Sequence, residues 1–181
     1  MANPAFIVEG QMEQKIIGRL CPGQPVQRIM CNGDQVPITR LCDFVETLIR
    51  RLNNKYYPIF VIFDREKRED DCKTLSIQML DELNSRGLND QDIRIFLADR
   101  ESEDWILKDI DAICAHYNIA KPRQAPQGKG GLRSLVSSVT PYHETTTGVE
   151  LFFLVSKDEI AKKCPYFRSL RESVRSIGCF I

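Results

Sequence analysis

The chain has 181 residues, 43% of them hydrophobic, with 25 basic and 25 acidic side chains and two His. That length and apolar content predict one domain with a sizeable core and a C-terminal extension. The balanced charge excludes a globally basic nucleic-acid binder, while leaving room for a local basic patch. Cysteines at 21, 31, 42, 72, 114, 164 and 179 are odd in number and form no Cys-x-x-Cys pair, which argues against a zinc knuckle or a disulfide framework. Several lie within apolar patterns, where Cys behaves as a small hydrophobe. A reducing, cytoplasmic compartment fits this usage. Glu9 interrupts the first apolar run, so no signal peptide is read. No apolar run exceeds the five residues of Leu151 to Val155, far short of a membrane span.

In chain order, Phe6-Ile7-Val8 reads as a buried strand, followed by a helix carrying Met12, Ile16, Ile17 and Leu20 and stopped by Pro22-Gly23. Val26 to Met30 is a weaker strand ended by Asn32-Gly33-Asp34. Leu41, Phe44, Val45, Leu48, Ile49 and Leu52 form an amphipathic stripe. Ile59 to Phe63 is continuous and apolar, as expected of a strand covered on both faces. A charged loop follows, Asp64 to Asp71. Then come a helix with Leu75, Met79, Leu80 and Leu83 closed by Gly87, a strand at Ile93 to Ala98, and a helix with Trp105, Ile106, Ile110 and Ile113. Lys121 to Gly131 reads as a loop. Thr147-Gly148-Val149-Glu150 and Ser156-Lys157-Asp158-Glu159 have capping-box spacing, and a last helix starts near Pro165.

Alternating strands and helices predict a mostly parallel, four-stranded α/β fold of Rossmann-like type with helices on both faces. The core spans 1–120 and a loop plus helical part, 121–181, packs on it. Ligand sites in such sheets lie beyond the carboxyl ends of the strands. The residues there are Glu9, Asp64 and Asp99. Asp and Glu are common at such places as helix caps, which accounts for any one of them. Three at one edge, with Glu66 two residues after Asp64, exceeds what capping needs. In extended backbone Asp64 and Glu66 face the same side, so both would reach one cation or a close pair. Magnesium is suited by such a sparse carboxylate set.

Other features have plainer readings. Acids at 101, 103 and 104 suit the start of a helix through its dipole, and Glu103 is also placed to point back at a metal. Trp105 reads as core packing, and His116 and His143 as structural or exposed. Arg168, Arg171 and Arg175 form a solvated face. The Gly-rich stretch 127–131 lacks P-loop spacing. Arg65, Lys129 and Arg133 are placed to contact phosphate.

Glu on the first strand with an acidic pair after a later strand resembles the TOPRIM arrangement of topoisomerases, bacterial primases, recombination proteins and overcoming-lysogenization-defect nucleases. The chain is more closely similar to a small TOPRIM-like family, DUF4276. The likeness runs through Val8-Glu9-Gly10-Gln11-Met12-Glu13, Val61-Ile62-Phe63-Asp64-Arg65-Glu66, Asp71-Cys72, Glu103-Asp104-Trp105-Ile106-Leu107-Lys108-Asp109 and Cys164-Pro165-Tyr166-Phe167-Arg168. The resemblance implies a Mg²⁺- or Mn²⁺-dependent nuclease acting on DNA or RNA. In it Glu9 is the proton-transfer or metal-shell residue, Asp64 the principal ligand, Glu66 its partner and Glu103 a further acid. Glu13, Asp99 and Glu101 are secondary candidates. It also implies a bacterial defence setting with an ABC- or AAA-type ATPase partner and no membrane. Glu66 stands where the family has Asp, and Met12 where it has Thr. The Glu66 substitution supports an alternative, a catalytically weak TOPRIM-like interaction or regulatory module; a small-molecule phosphohydrolase is a third reading, without a nucleotide-recognition motif to support it.

Overall fold

The computed structural model describes residues 3–30 and 36–179. The turn read at Asn32-Gly33-Asp34 lies outside the described residues.

The strands are β1 (Ala5–Val8), β2 (Val26–Arg28), β3 (Ile59–Asp64) and β4 (Ile93–Ala98). They form one four-stranded sheet in the order β2-β1-β3-β4, with every pairing parallel. The α/β architecture read from the sequence is therefore observed, with the sheet wholly parallel. Its interior strands are apolar on both faces because both faces are covered. Side chains alternate across each strand. Phe6, Val8, Phe60 and Ile62 enter one core, and Ala5, Ile7, Ile59, Val61 and Phe63 the other.

The second core is closed by α2 (Ile38–Arg51) and α3 (Cys72–Leu83), through Leu41, Val45, Ile49, Leu75 and Met79. Arg86 clamps these two helices at their edge. It bonds Asp43, Glu46 and Glu82 with its guanidinium and also donates to the Thr39 carbonyl. The first core is covered by α1 (Gln11–Leu20) and by α4 (Glu103–Leu107), α5 (Ile110–Tyr117), α6 (Gly128–Val136), α7 (Val149–Leu154), α8 (Lys157–Lys163) and α9 (Pro165–Arg175). Trp105 is buried there, edge-on to Phe167 at 5.2 Å, as core packing requires.

Four local expectations need correction. The helix read from Trp105 to Ile113 is two helices, because Asp109 leaves helical geometry (φ −116°, ψ 54°) and its carboxylate accepts from Ser156 N–H at 2.8 Å. The stretch 121–131 is not wholly loop: α6 starts at Gly128. Thr147 does not cap a helix; its hydroxyl is spent on the Pro141 carbonyl, inside a wide turn at Glu144–Gly148. Ser156 does cap α8, accepting from Glu159 N–H.

The fourth concerns cysteine. Cys21 and Cys179, 158 residues apart, are disulfide-bonded with Cα atoms 4.9 Å apart. Sequence spacing cannot show such a meeting, because it is made by packing α9 beside α1. Cys42, Cys72, Cys114 and Cys164 are free and buried. Closing so long a loop restricts the unfolded chain, so Cys179→Ser is expected to lower stability by about 2–4 kcal/mol in non-reducing buffer. The effect should vanish when both proteins are melted with reductant. Among the described residues no helix is long and apolar enough to cross a membrane.

A candidate carboxylate site at the sheet switch point

From β1 the chain moves through α1 to β2 on one side, and from β3 through α3 to β4 on the other. The two crossovers lie on opposite faces of the sheet, since α1 belongs to the first core and α3 to the second. The carboxyl ends of β1 and β3 are therefore the switch point, where doubly wound sheets take ligands in a crevice. Glu9 follows β1 and Asp64 ends β3, so both stand at this crevice. They are joined directly: Asp64 N–H donates to Glu9 Oε2 at 2.9 Å.

Helix packing brings further acids. Glu13, in the first turn of α1, is 7% exposed and takes a short hydrogen bond from the Ser102 hydroxyl. Glu103, opening α4, is 4% exposed and accepts from the Tyr142 hydroxyl at 3.0 Å. Gly10 lets the Glu13 carboxylate lie against the backbone, where a Cβ would displace it.

The electrostatics are those of crowded like charges. Burial, above all, and then the carboxylates of Glu13, Glu9, Glu103 and Glu66 push Asp64 well above the ordinary range. The residue keeps some solvent contact, but its carboxyl is withdrawn from water. Glu9 is raised by burial and by Glu66 and Glu13, against the lowering pull of the Asp64 N–H and Arg68. Glu13 is raised by burial, partly offset by its Ser102 bond. Glu103 is pushed up to about 7, chiefly by burial. Perturbed groups clustered in a crevice are a physical sign of a functional site.

Each predicted residue has a definite place. Glu9, Asp64, Glu103 and Glu13 come together. Glu66 acts on Glu9 and Asp64 electrostatically, but by a route the sequence did not suggest. The backbone after Asp64 is not extended. Glu66 sits in a turn with φ 58°, its N–H bonded to the Arg100 carbonyl at 2.8 Å. The same-side rule for alternate strand residues therefore fails at Glu66. A left-handed conformation is uncommon outside Gly, Asn and Asp, and costs about 1–3 kcal/mol. Arg68 braces the turn, donating to the Asp64 and Arg65 carbonyls at 3.0 and 3.1 Å and to the Val36 carbonyl at 3.1 Å. Asp99 stands apart: its side chain is 66% exposed and pairs with Arg65 at 3.4 Å.

Glu101 and Asp104 serve α6. Asp104 accepts from Gly128 N–H at 2.6 Å and Glu101 from Lys129 N–H. The helix thus takes its N-terminal acceptors from α4 and the loop before it, instead of from its own sequence. Gly128 has φ 58° and lies so close to Glu101 that a Cβ would collide with the carboxylate.

Of the residues expected at phosphate, Arg65 is spent on Asp99 and on the Arg68 carbonyl. Lys129 holds Glu144 and borders an open cleft of about 540 Å³ shared with Glu66, Lys67 and Arg100. Arg133 is exposed on α6. Tyr142, Glu144 and Ser102 join the site unannounced. Nothing in their local sequence marks them, and only the packing of 102 and 142–144 beside α1 does so.

The donor set is all oxygen and its mutual repulsion would be relieved by a hard divalent cation, so its chemistry fits Mg²⁺ or Mn²⁺. Among the described residues, no group of three or more His, Cys, Asp or Glu side chains is arranged to hold an ion as it stands. The carboxyls rest instead on internal donors: Glu9 on Asp64 N–H, Glu13 on Ser102 and Glu103 on Tyr142. Side-chain rotation would have to release them. Comparison with protein-family models, curated proteins and solved structures finds no match for this chain.

Proposed function

We propose that the chain is a divalent-cation-dependent phosphodiesterase of TOPRIM type acting on DNA or RNA. The observation that carries this reading is the gathering of Glu9, Glu13, Asp64, Glu66 and Glu103 about the switch point, with Asp64 raised well above its ordinary range by burial and by the other four. Uncompensated charge near a core is costly, and a divalent cation held by these carboxylates would relieve it. Asp64 and Glu66 would hold the ion, with Glu9 beside them. Mg²⁺ or Mn²⁺ there would supply charge neutralisation at phosphate and a more acidic bound water.

The chain's own residues supply the rest. Glu9, with its raised proton affinity, takes a proton from the attacking water and returns it to the leaving oxygen. Tyr142 and Ser102 orient Glu103 and Glu13. Lys129 and Arg133 on α6 contact phosphate oxygens. By the TOPRIM resemblance, the protein works beside an ABC- or AAA-type ATPase in antiviral defence.

The test is incubation with plasmid, single-stranded DNA and tRNA in Mn²⁺. Wild type is expected to cut, and Glu9→Gln to cut at least about 100-fold more slowly. The resting of the carboxyls on internal donors favours a second reading, an interaction module with the TOPRIM shape and little catalysis. No cleavage by wild type, alone or with the ATPase, would move the balance to that module.

A further inference from the structure

A second groove leads away from the carboxylate site. It has a volume of about 450 Å³ and shares Arg100, Asp104 and Gln127 with the cleft that Glu66 and Lys129 border, so the two are adjacent. The two differ in character. The first is lined by charged and polar residues; the second adds apolar ones, Pro126, Pro165 and Tyr166 among them. It is a slot bordered by the 125–127 segment and the start of α9.

The charges in the slot are not balanced once their partners are counted. Asp99 is paired with Arg65, so Asp104, which accepts from Gly128 N–H but keeps its charge, is the one lining acid set against the slot's cations. The cations Arg100, Lys108 and Lys163 also line it. Arg100 donates to the neutral Gln127 side chain at 2.8 Å, and Lys163 to the Lys108 carbonyl at 2.7 Å, with Glu159 no closer than 3.8 Å. Flat apolar walls flanked by cations are what an unpaired nucleotide needs: a face for its base and charge for the phosphates on either side. A duplex keeps its bases stacked inside and cannot offer one to a slot without flipping it out.

We infer that this groove seats an unpaired nucleotide of a single-stranded segment, whose neighbouring phosphate then lies in the cleft beside Glu66. The inference rests on the nuclease reading for its orientation, and it narrows the substrate to strands with unpaired bases.

The experiment is fluorescence anisotropy in EDTA, where nothing is cut. Labelled single-stranded DNA, single-stranded RNA and a blunt duplex of one sequence are compared. At least one single strand is expected to bind about tenfold more tightly than the duplex, and Tyr166→Ala to weaken that binding about five- to tenfold, the low end of what base stacking contributes. Lys163→Ala, on an exposed side chain, is expected to weaken it about threefold and to flatten its salt dependence. Equal binding of duplex and single strands, no binding at all, or unchanged binding in both groove variants would overturn the inference. Melting curves show whether Tyr166→Ala is folded, and Lys163→Ala decides the matter if it is not. Parallel assays in Mn²⁺ separate the two claims. Binding without cleavage removes the nuclease reading and keeps the groove, while cleavage indifferent to Tyr166 and Lys163 removes the groove and keeps the nuclease.

Discussion

Glu103→Gln is expected to make the metal-free protein more stable at pH 8 and to leave it unchanged at pH 4. The Glu103 carboxyl rises from 4.5 to about 7 on folding, with burial the main cause. At about 1.36 kcal/mol per pH unit this amounts to about 3 kcal/mol of native-state penalty once the group is ionised. Its folded value is raised, so the stability it confers is fully present below pH 4.5 and is lost as pH climbs through about 7. Glutamine has no proton to lose and keeps an acceptor for the Tyr142 hydroxyl. For a chain of this size the gain corresponds to about 6–12 °C in melting temperature. Calorimetry at pH 4, 6 and 8 in EDTA checks it: the wild-type curve should fall across this range and the variant curve should be flatter. Parallel curves would mean that Glu103 is better solvated than its place suggests. Glu9, Glu13 and Asp64 are raised as well, so they add to the decline in the same sense.

Asp64→Asn is expected to have two opposite effects. Without metal it should stabilise, because the carboxyl most beset by like charges is gone. With metal it should lose the response that wild type shows. At a Mn²⁺ concentration about 100 times the dissociation constant, a native-state site adds about 2.7 kcal/mol. That is about 5–10 °C for wild type, and close to nothing for Asp64→Asn. The wild-type gain should be larger at pH 8 than at pH 6, because the ion competes with protons for raised carboxyls. Nuclease activity should follow the metal response and be lost in Asp64→Asn despite its higher metal-free stability. A variant less stable than wild type in EDTA would show Asp64 to be a structural partner of Glu9 instead.

Much of the fold was legible because the sheet is covered on both faces. Ile59 to Phe63 and Ile93 to Ala98 are apolar runs of strand length, and strand ends are chemically loud when an acid follows, as at Val8-Glu9 and Phe63-Asp64. The strand order, and with it the switch point, was not legible, since periodicity carries no information on which strands are neighbours. Glu66 misled for a local reason. Its same-side placement assumed that β3 continues, whereas Arg68 and the Arg100 carbonyl fold the backbone into a left-handed turn. Gly128 to Gly131 read as loop because helix propensity is low there, while the groups that hold α6 in place, Glu101 and Asp104, lie far back in the chain. The Cys21–Cys179 bond and the arrival of Tyr142 and Glu144 depend likewise on packing across the whole chain.

The central claim is that Asp64 and its neighbours form a cation site, and a Mn²⁺ titration by isothermal calorimetry at pH 6 and pH 8 tests it most directly. The expected result is saturable binding to wild type, with more protons released at pH 6 than at pH 8, and none of it in Asp64→Asn. Protons must leave because Glu9, Asp64 and Glu103 hold them more tightly than ordinary carboxyls do. Binding of equal strength in wild type and Asp64→Asn, or no binding in either, would contradict the claim.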